Sequence, residues 1–161
     1  MKYLLDTCVI SELVTKNPNT RVVEWIKRQD PDSLYLSFVT IGEIKKGIAK
    51  RDGDARAVKL EKWLQTTILG VFGDRILPVE RKVALEWGRI CGVSERIGKK
   101  RPAIDALIAA TAIVHKMKLV TRNVDDMAGM GVPIFNPFDD RTKDNIKKMI
   151  SDIKIINCQI V

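Results

Sequence analysis

The sequence predicts an α/β domain with a central, mostly parallel sheet and helices on both faces. Three observations carry this. Four short runs, Tyr3–Leu5, Leu34–Leu36, Lys118–Thr121 and Pro133–Phe135, have the length and apolar character of buried strands. Stretches with apolar residues at helical spacing separate them, and that alternation is the mark of a parallel α/β sheet. The first run also ends on a carboxylate, Asp6, at the edge where open parallel sheets place their ligands.

In chain order, Thr7 stands where it can cap a helix that turns Val9, Ile10 and Leu13 inward. Asn17-Pro18-Asn19 is a turn signal, and Thr20 opens a helix through Val22, Val23, Trp25 and Ile26. After the second strand, Ser37 or Thr40 starts a helix with Ile41, Ile44 and Ile48 on one face and Glu43 in its first turns. Asp52-Gly53-Asp54 interrupts, and Val58, Leu60, Trp63, Leu64 and Ile68 mark the next helix. Arg75–Val79 is short and extended because of Pro78. A long helix then runs from Glu80 towards Gly98 through Val83, Leu85, Trp87 and Ile90. Pro102 suits the first position of an alanine-rich helix reaching His115, and Arg122 to Met127 reads as a loop.

With 161 residues the chain has room for one domain with a substantial core. Its 28 Lys and Arg outnumber 20 Asp and Glu, and the resulting +8 favours a polyanionic partner such as nucleic acid. No apolar run approaches a membrane span or resembles a signal peptide, so no membrane partner is expected. Cys8, Cys91 and Cys158 are too far apart for a C-x-x-C site, which fits a reducing, cytoplasmic setting.

The chemistry-bearing residues share one address. Asp6 ends the first strand, Glu43 lies near the start of the helix after the second, Asp105 lies in the first turn of the alanine-rich helix, and Asn123 and Asp126 follow Thr121. Strand ends and the N-termini of following helices meet at the same edge of a parallel sheet. Acids gathered there repel one another, and a hard cation relieves the repulsion. Oxygen ligands without His or Cys select Mg²⁺ or Mn²⁺. Such an ion suits phosphodiester hydrolysis, since it activates water and stabilises the attacking and leaving oxygens. On this reading Asp6→Asn is expected to abolish activity while leaving the fold intact or more stable, because it removes one crowded charge.

The segments LLDTCVISEL, SFVTIGEIKKGI, PAIDALIAATAIVHKMKLVTRNVDDM and IFNPF resemble the PIN-domain ribonucleases, in particular toxins of the VapC and FitB type. The resemblance runs from Lys2 to about Phe138 and rests on D-T-x-x-x-S, G-E-x-x-x-G, D-A-x-I-A-A-T-A and T-R-N taken together. It implies a PIN-like three-layer α/β/α sandwich, Mg²⁺ or Mn²⁺ as cofactor, RNA as substrate and a cognate antitoxin as partner. By position it implies that Asp6 and Asp105 are the main metal ligands and Glu43 the third acid. Asn123 falls where many members have a fourth acid, with Asp126 the nearest carboxylate to replace it. Thr7, Ser11 and Thr121 match polar positions that orient ligands or touch phosphate. Cys8 departs from the family pattern, where Asn is frequent, and bears on a hydrogen bond behind the ligands. The expected nuclease domain is 1–140. The extension 141–161 lies beyond the resemblance, and its apolar end is expected to pack on the body or on a partner.

Arg122 and the cluster Lys99, Lys100 and Arg101 are further candidates to touch RNA phosphates, as a basic rim around an acidic pocket. His115 is the single histidine, so neither a zinc site of the H-E-x-x-H kind nor a Ser-His-Asp triad can be built. The apolar residues around Trp25 and Trp63 exceed one helical face, which predicts surface buried in a homodimer or under the antitoxin. The leading reading is thus a metal-dependent endoribonuclease and toxin. The alternatives are a non-catalytic PIN-like RNA-binding or scaffold module, and a DNA-directed nuclease of related fold.

Overall fold

The structure is a computed structural model and describes residues 1–51 and 53–139. Five strands form one sheet: β1 (Tyr3–Leu5), β2 (Leu34–Ser37), β3 (Ile76–Leu77), β4 (Lys118–Val120) and β5 (Ile134–Phe135). Their spatial order is β3-β2-β1-β4-β5, and every pairing is parallel. β1 is therefore the central strand, and its C-terminal end is the middle of the functional edge. The helices are α1 (Thr7–Ile10), α2 (Thr20–Lys27), α3 (Phe38–Ala49), α4 (Ala55–Trp63), α5 (Leu69–Phe72), α6 (Arg81–Arg96), α7 (Ala103–Val114) and α8 (Val124–Met127).

Successive strand residues point to opposite faces, so each strand feeds two cores. Leu4 and Leu119 pack with Val83 and Ile90 of α6 and with Ala106, Ala109 and Ala110 of α7. Leu5, Leu36 and Val120 pack on the other side with Val9, Ile10, Val22, Ile44 and Ile48. The result is the expected three-layer α/β/α sandwich, its sheet wholly parallel. Ala106, Ala109, Ala110 and Ala112 of α7 are fully buried, and their small side chains let this helix lie close to the sheet.

Local chemistry sets the boundaries. Ser37 caps α3 by accepting from the Val39 N–H at 3.2 Å, and Asn19 caps α2. The first helix differs from expectation: Asp6, not Thr7, is its cap. α7 ends in a Schellman motif, with Met117 N–H bonded to Ala112 O at 2.8 Å and Lys116 N–H to Ile113 O at 3.0 Å. Lys116 occupies the left-handed position (φ 54°) that usually belongs to glycine.

Three further expectations change. Residues 124–127 form α8 and not loop. Leu13, Val58 and Leu85, at helical spacing with core residues, are 42%, 72% and 70% exposed. Conversely, the apolar residues of α2 serve this chain's own core. Val22 is buried, and Trp25 stacks edge-on against Tyr3 and tilted against Phe135, with ring centroids 5.2 Å apart in both cases. Leu64 and Ile68 are buried as well. The residues that remain open instead include Phe38, Val71, Leu85, Ile97 and Ile104.

No helix among the described residues is long and apolar enough to cross a membrane. Cys8 and Cys91 are free thiols. The expected extension 141–161, with residue 140 before it, lies outside the described residues.

Candidate active site

Asp6 is the most constrained of the acids. Its backbone N–H bonds to Val120 O at 3.0 Å, so the β1–β4 ladder carries it to the edge of the sheet. Its side chain is only 4% exposed, yet it is well solvated by the protein. Oδ1 accepts from the Thr7 N–H at 2.6 Å, while Oδ2 accepts from the Thr121 hydroxyl at 2.6 Å and the Cys8 thiol at 3.2 Å. A buried carboxylate needs such donors to stay ionised.

The remaining groups are arranged around it. Thr7 donates its hydroxyl to Oε2 of Glu43, which links the start of α1 to α3. Asp105 is partly buried in the first turn of α7. Burial raises its carboxyl above the usual aspartate range, and the charges of Asp6, Asp126 and Glu43 raise it further. The charges of Asp6 at the end of β1, Asp126 of α8 and Glu43 of α3 thus all reach Asp105 of α7. The Asn123 N–H bonds to Thr121 Oγ1 at 2.9 Å, and its exposed side chain makes no hydrogen bond among the described residues. Asp125 is not among the charges acting on Asp105.

Cys8 fills the place behind Asp6 with a thiol. Besides donating to Asp6, its sulfur accepts from the Arg122 N–H at 3.4 Å. Burial first and the Asp6 charge second push the thiol up to about 11, so at neutral pH it is a protonated donor and not a nucleophile. A hydrogen bond to Asp6 is therefore made by a thiol at the position where the resemblance implies Asn. The departure from the family's Asn pointed to this hydrogen bond, and the structure shows that the thiol makes it.

The basic residues separate into different situations. The Arg122 guanidinium lies 5.1 Å from the Phe138 ring, at the rim of the cluster. Lys99 and Lys100 are exposed. Arg101, expected with them on the phosphate rim, is turned inward onto backbone carbonyls instead, at 2.9 Å from Asp126 O and 2.6 Å from Ala128 O. Ser11 and Thr7 line a cleft of about 330 Å³ beside Glu43 that also meets Arg51, Arg56 and Trp63. A larger groove of about 860 Å³ between α3 and α4 shares no residue with the acid cluster, so size alone would misplace the site.

No ion pair among the described residues joins a Lys, Arg or His to Asp6, Glu43, Asp105 or Asp126. Among the described residues, the ion pairs join Arg28 to Glu24, Lys45 to Glu61, Arg51 to Asp54 and Arg89 to Glu86, none of them in the cluster. No three His, Cys, Asp or Glu side chains among the described residues close into a ready cage, so the acids form an open cluster. Its donor set of oxygens, without an ion-pair partner among the described residues, fits a hard divalent cation.

The sequence pattern of the PIN domain family matches residues 3–130. The chain belongs to the PIN domain family. It is 36% identical over 137 residues to the toxin FitB of Neisseria gonorrhoeae, covering 85% of this chain and 99% of that protein. It is 31% identical over 136 residues to the VapC ribonuclease Y4jK of Sinorhizobium fredii, covering 84% of this chain and 97% of that one. Among solved structures, the FitAcB structure from Neisseria gonorrhoeae matches with a TM-score of 0.80 and 36% identity, over 84% of this chain and 98% of that chain. Within this PIN domain the acid cluster lies at the C-terminal edge of the sheet, the edge that the topology reserves for ligands.

Proposed function

We propose that this PIN domain is a Mg²⁺- or Mn²⁺-dependent endoribonuclease and the toxin of a toxin–antitoxin pair. The observation that carries the reading is the gathering of acids at the C-terminal edge of the sheet, where Asp6 ends the central strand and burial, then the charges of Asp6, Asp126 and Glu43, raise the carboxyl of Asp105. A protein with no use for a cation gains nothing from such crowding, which tells against the scaffold alternative. The similarity to a curated VapC ribonuclease supports RNA as substrate.

Asp6 and Asp105 would hold the ion, with Glu43 and Asp126 completing the negative pocket. When bound, the ion supplies positive charge to the scissile phosphate and lowers the pKa of water. The chain's own residues do the rest. Thr7 N–H, Thr121 and Cys8 fix both oxygens of Asp6, so its orientation does not change as substrate enters. The Thr7 hydroxyl holds Oε2 of Glu43 and leaves Oε1 free to take the proton of the attacking water. Arg122, with Lys99 and Lys100, offers charge to flanking phosphates.

An antitoxin that places an Arg or Lys among these acids would neutralise them and block the ion. The open apolar residues Leu85, Ile97 and Ile104 are surface that a second copy would cover, in a homodimer that works in the cytoplasm. The test is incubation of the full chain with RNA and DNA panels in Mn²⁺ or EDTA. Cleavage of RNA alone, abolished by EDTA and by Asp105→Asn, is expected. Cleavage that persists in EDTA, or acts only on DNA, would overturn the reading.

A further inference from the structure

Arg101 stands four residues before Asp105, between α6 and α7, and its guanidinium bridges α6 and the end of α8. Nε donates to Ser94 Oγ of α6 at 3.3 Å, Nη1 to Asp126 O at 2.9 Å and Nη2 to Ala128 O at 2.6 Å. Ser94 is itself buried, so the anchor is fixed. The two carbonyls belong to the C-terminal end of α8, a single turn whose last carbonyls have no partner within the helix. A planar fork with several donors matches such a pair of acceptors, whereas a lysine ammonium offers a single point. The neighbouring chain is shaped to the fork. A Cβ on Gly129 (φ +81°) would lie 3.2 Å from Nη2, whereas one on Gly131 (φ +82°) would meet nothing within 4 Å.

We propose that Arg101 is a positioning residue: it locks α8 to the start of α7 and so sets the approach of Asp126 to Asp105. This rests on the nuclease reading, in which Asp126 completes the acid pocket. Arg101 acts through Asp126 and touches neither metal nor RNA. Its removal lowers activity only for as long as Asp126 contributes.

The experiment has two arms on the full chain. The first is amide hydrogen exchange of the metal-free protein. Arg101→Ala and Arg101→Lys should release the Met127 and Ala128 amides while those of α6 and α7 stay protected. Gly129→Ala should do the same and Gly131→Ala should not, although both carry the same backbone strain. The second arm is a double-mutant cycle on RNA cleavage. Arg101→Ala should cost about 10- to 100-fold alone, the range typical of groups behind a metal ligand. In the Asp126→Asn background it should cost less than about threefold, since coupled residues are not additive. Unchanged α8 exchange overturns the proposal, and so does an equal loss in both backgrounds. Because the exchange arm uses neither metal nor RNA, a wild-type chain that cuts nothing would overturn the nuclease reading alone.

Discussion

The Thr121 hydroxyl donates to Oδ2 of Asp6 across 2.6 Å and accepts from the Asn123 N–H at 2.9 Å, tying the ends of β4 and β1 to the start of α8. One buried hydroxyl thus fixes the orientation of the Asp6 side chain and the path of the chain after β4. Thr121→Val keeps the shape and removes both bonds. Loss of a hydrogen bond to a buried charge costs about 1–3 kcal/mol of stability. Mn²⁺ affinity should also fall by about 10- to 100-fold. Denaturant unfolding and calorimetric Mn²⁺ titration check the two effects, and Thr121→Ser should restore most of both.

The two principal acids should respond oppositely to amide substitution. Asp6 accepts from three donors, so Asp6→Asn presents an NH₂ to at least one of them and should destabilise the fold. This reverses the expectation that removing any crowded charge leaves the fold intact or firmer. Asp105 is the group whose charged form the cluster disfavours, so Asp105→Asn should raise the melting temperature of the metal-free protein. The sign follows from its raised pKa: the penalty exists while Asp105 is charged and fades as pH falls through its folded value. The wild-type–mutant difference in Tm should therefore shrink towards acid pH.

Cys8 makes a prediction at the alkaline end. Its thiol titrates near 11 in the fold against an ordinary 9.0, so folding retains a proton that the unfolded chain gives up. The contribution is complete below pH 9 and is lost as pH rises to about 11. Comparing the melting of wild type with Cys8→Ser across that window isolates it, because other titrating groups cancel. A constant difference would show that the thiol is not held protonated by its surroundings.

Asn123 and Asp126 separate in a Mn²⁺ titration. Asp126 acts on Asp105, while the Asn123 side chain is exposed and unbonded among the described residues. Asp126→Ala should weaken binding more than Asn123→Asp strengthens it. A large gain from Asn123→Asp with no loss from Asp126→Ala would move the fourth carboxylate position to residue 123.

A stability prediction lies away from the site. Lys116 holds φ 54° in the Schellman turn after α7. Lys116→Gly should stabilise the protein by about 1 kcal/mol, since a side chain in the left-handed region costs roughly 1–2 kcal/mol. Thermal unfolding checks it, with RNA cleavage unchanged.

The sheet was legible because Tyr3–Leu5, Leu34–Leu36 and Lys118–Val120 are short runs that only a buried strand explains, and because helices separate them. α8 was not, since four residues are too few to show a period. Leu13, Val58 and Leu85 misled for a related reason: helical spacing identifies a helix but not which of two apolar stripes faces the core. The acids could be placed at one edge by topology alone. What topology cannot carry is side-chain direction, and so Arg101 read as a phosphate contact although its fork closes on α8. Cys8 was marked by its departure from the family's Asn, but its partners Asp6 and Arg122 meet the thiol only once β1 and β4 are paired.

The central claim is that the crowded acids exist to hold one divalent cation. Anomalous diffraction from Mn²⁺-soaked crystals tests it most directly. A single strong peak contacting carboxylate oxygens of both Asp6 and Asp105, and lost in Asp105→Asn, is the predicted result. A protein that cuts RNA while showing no peak between those two carboxylates would contradict it.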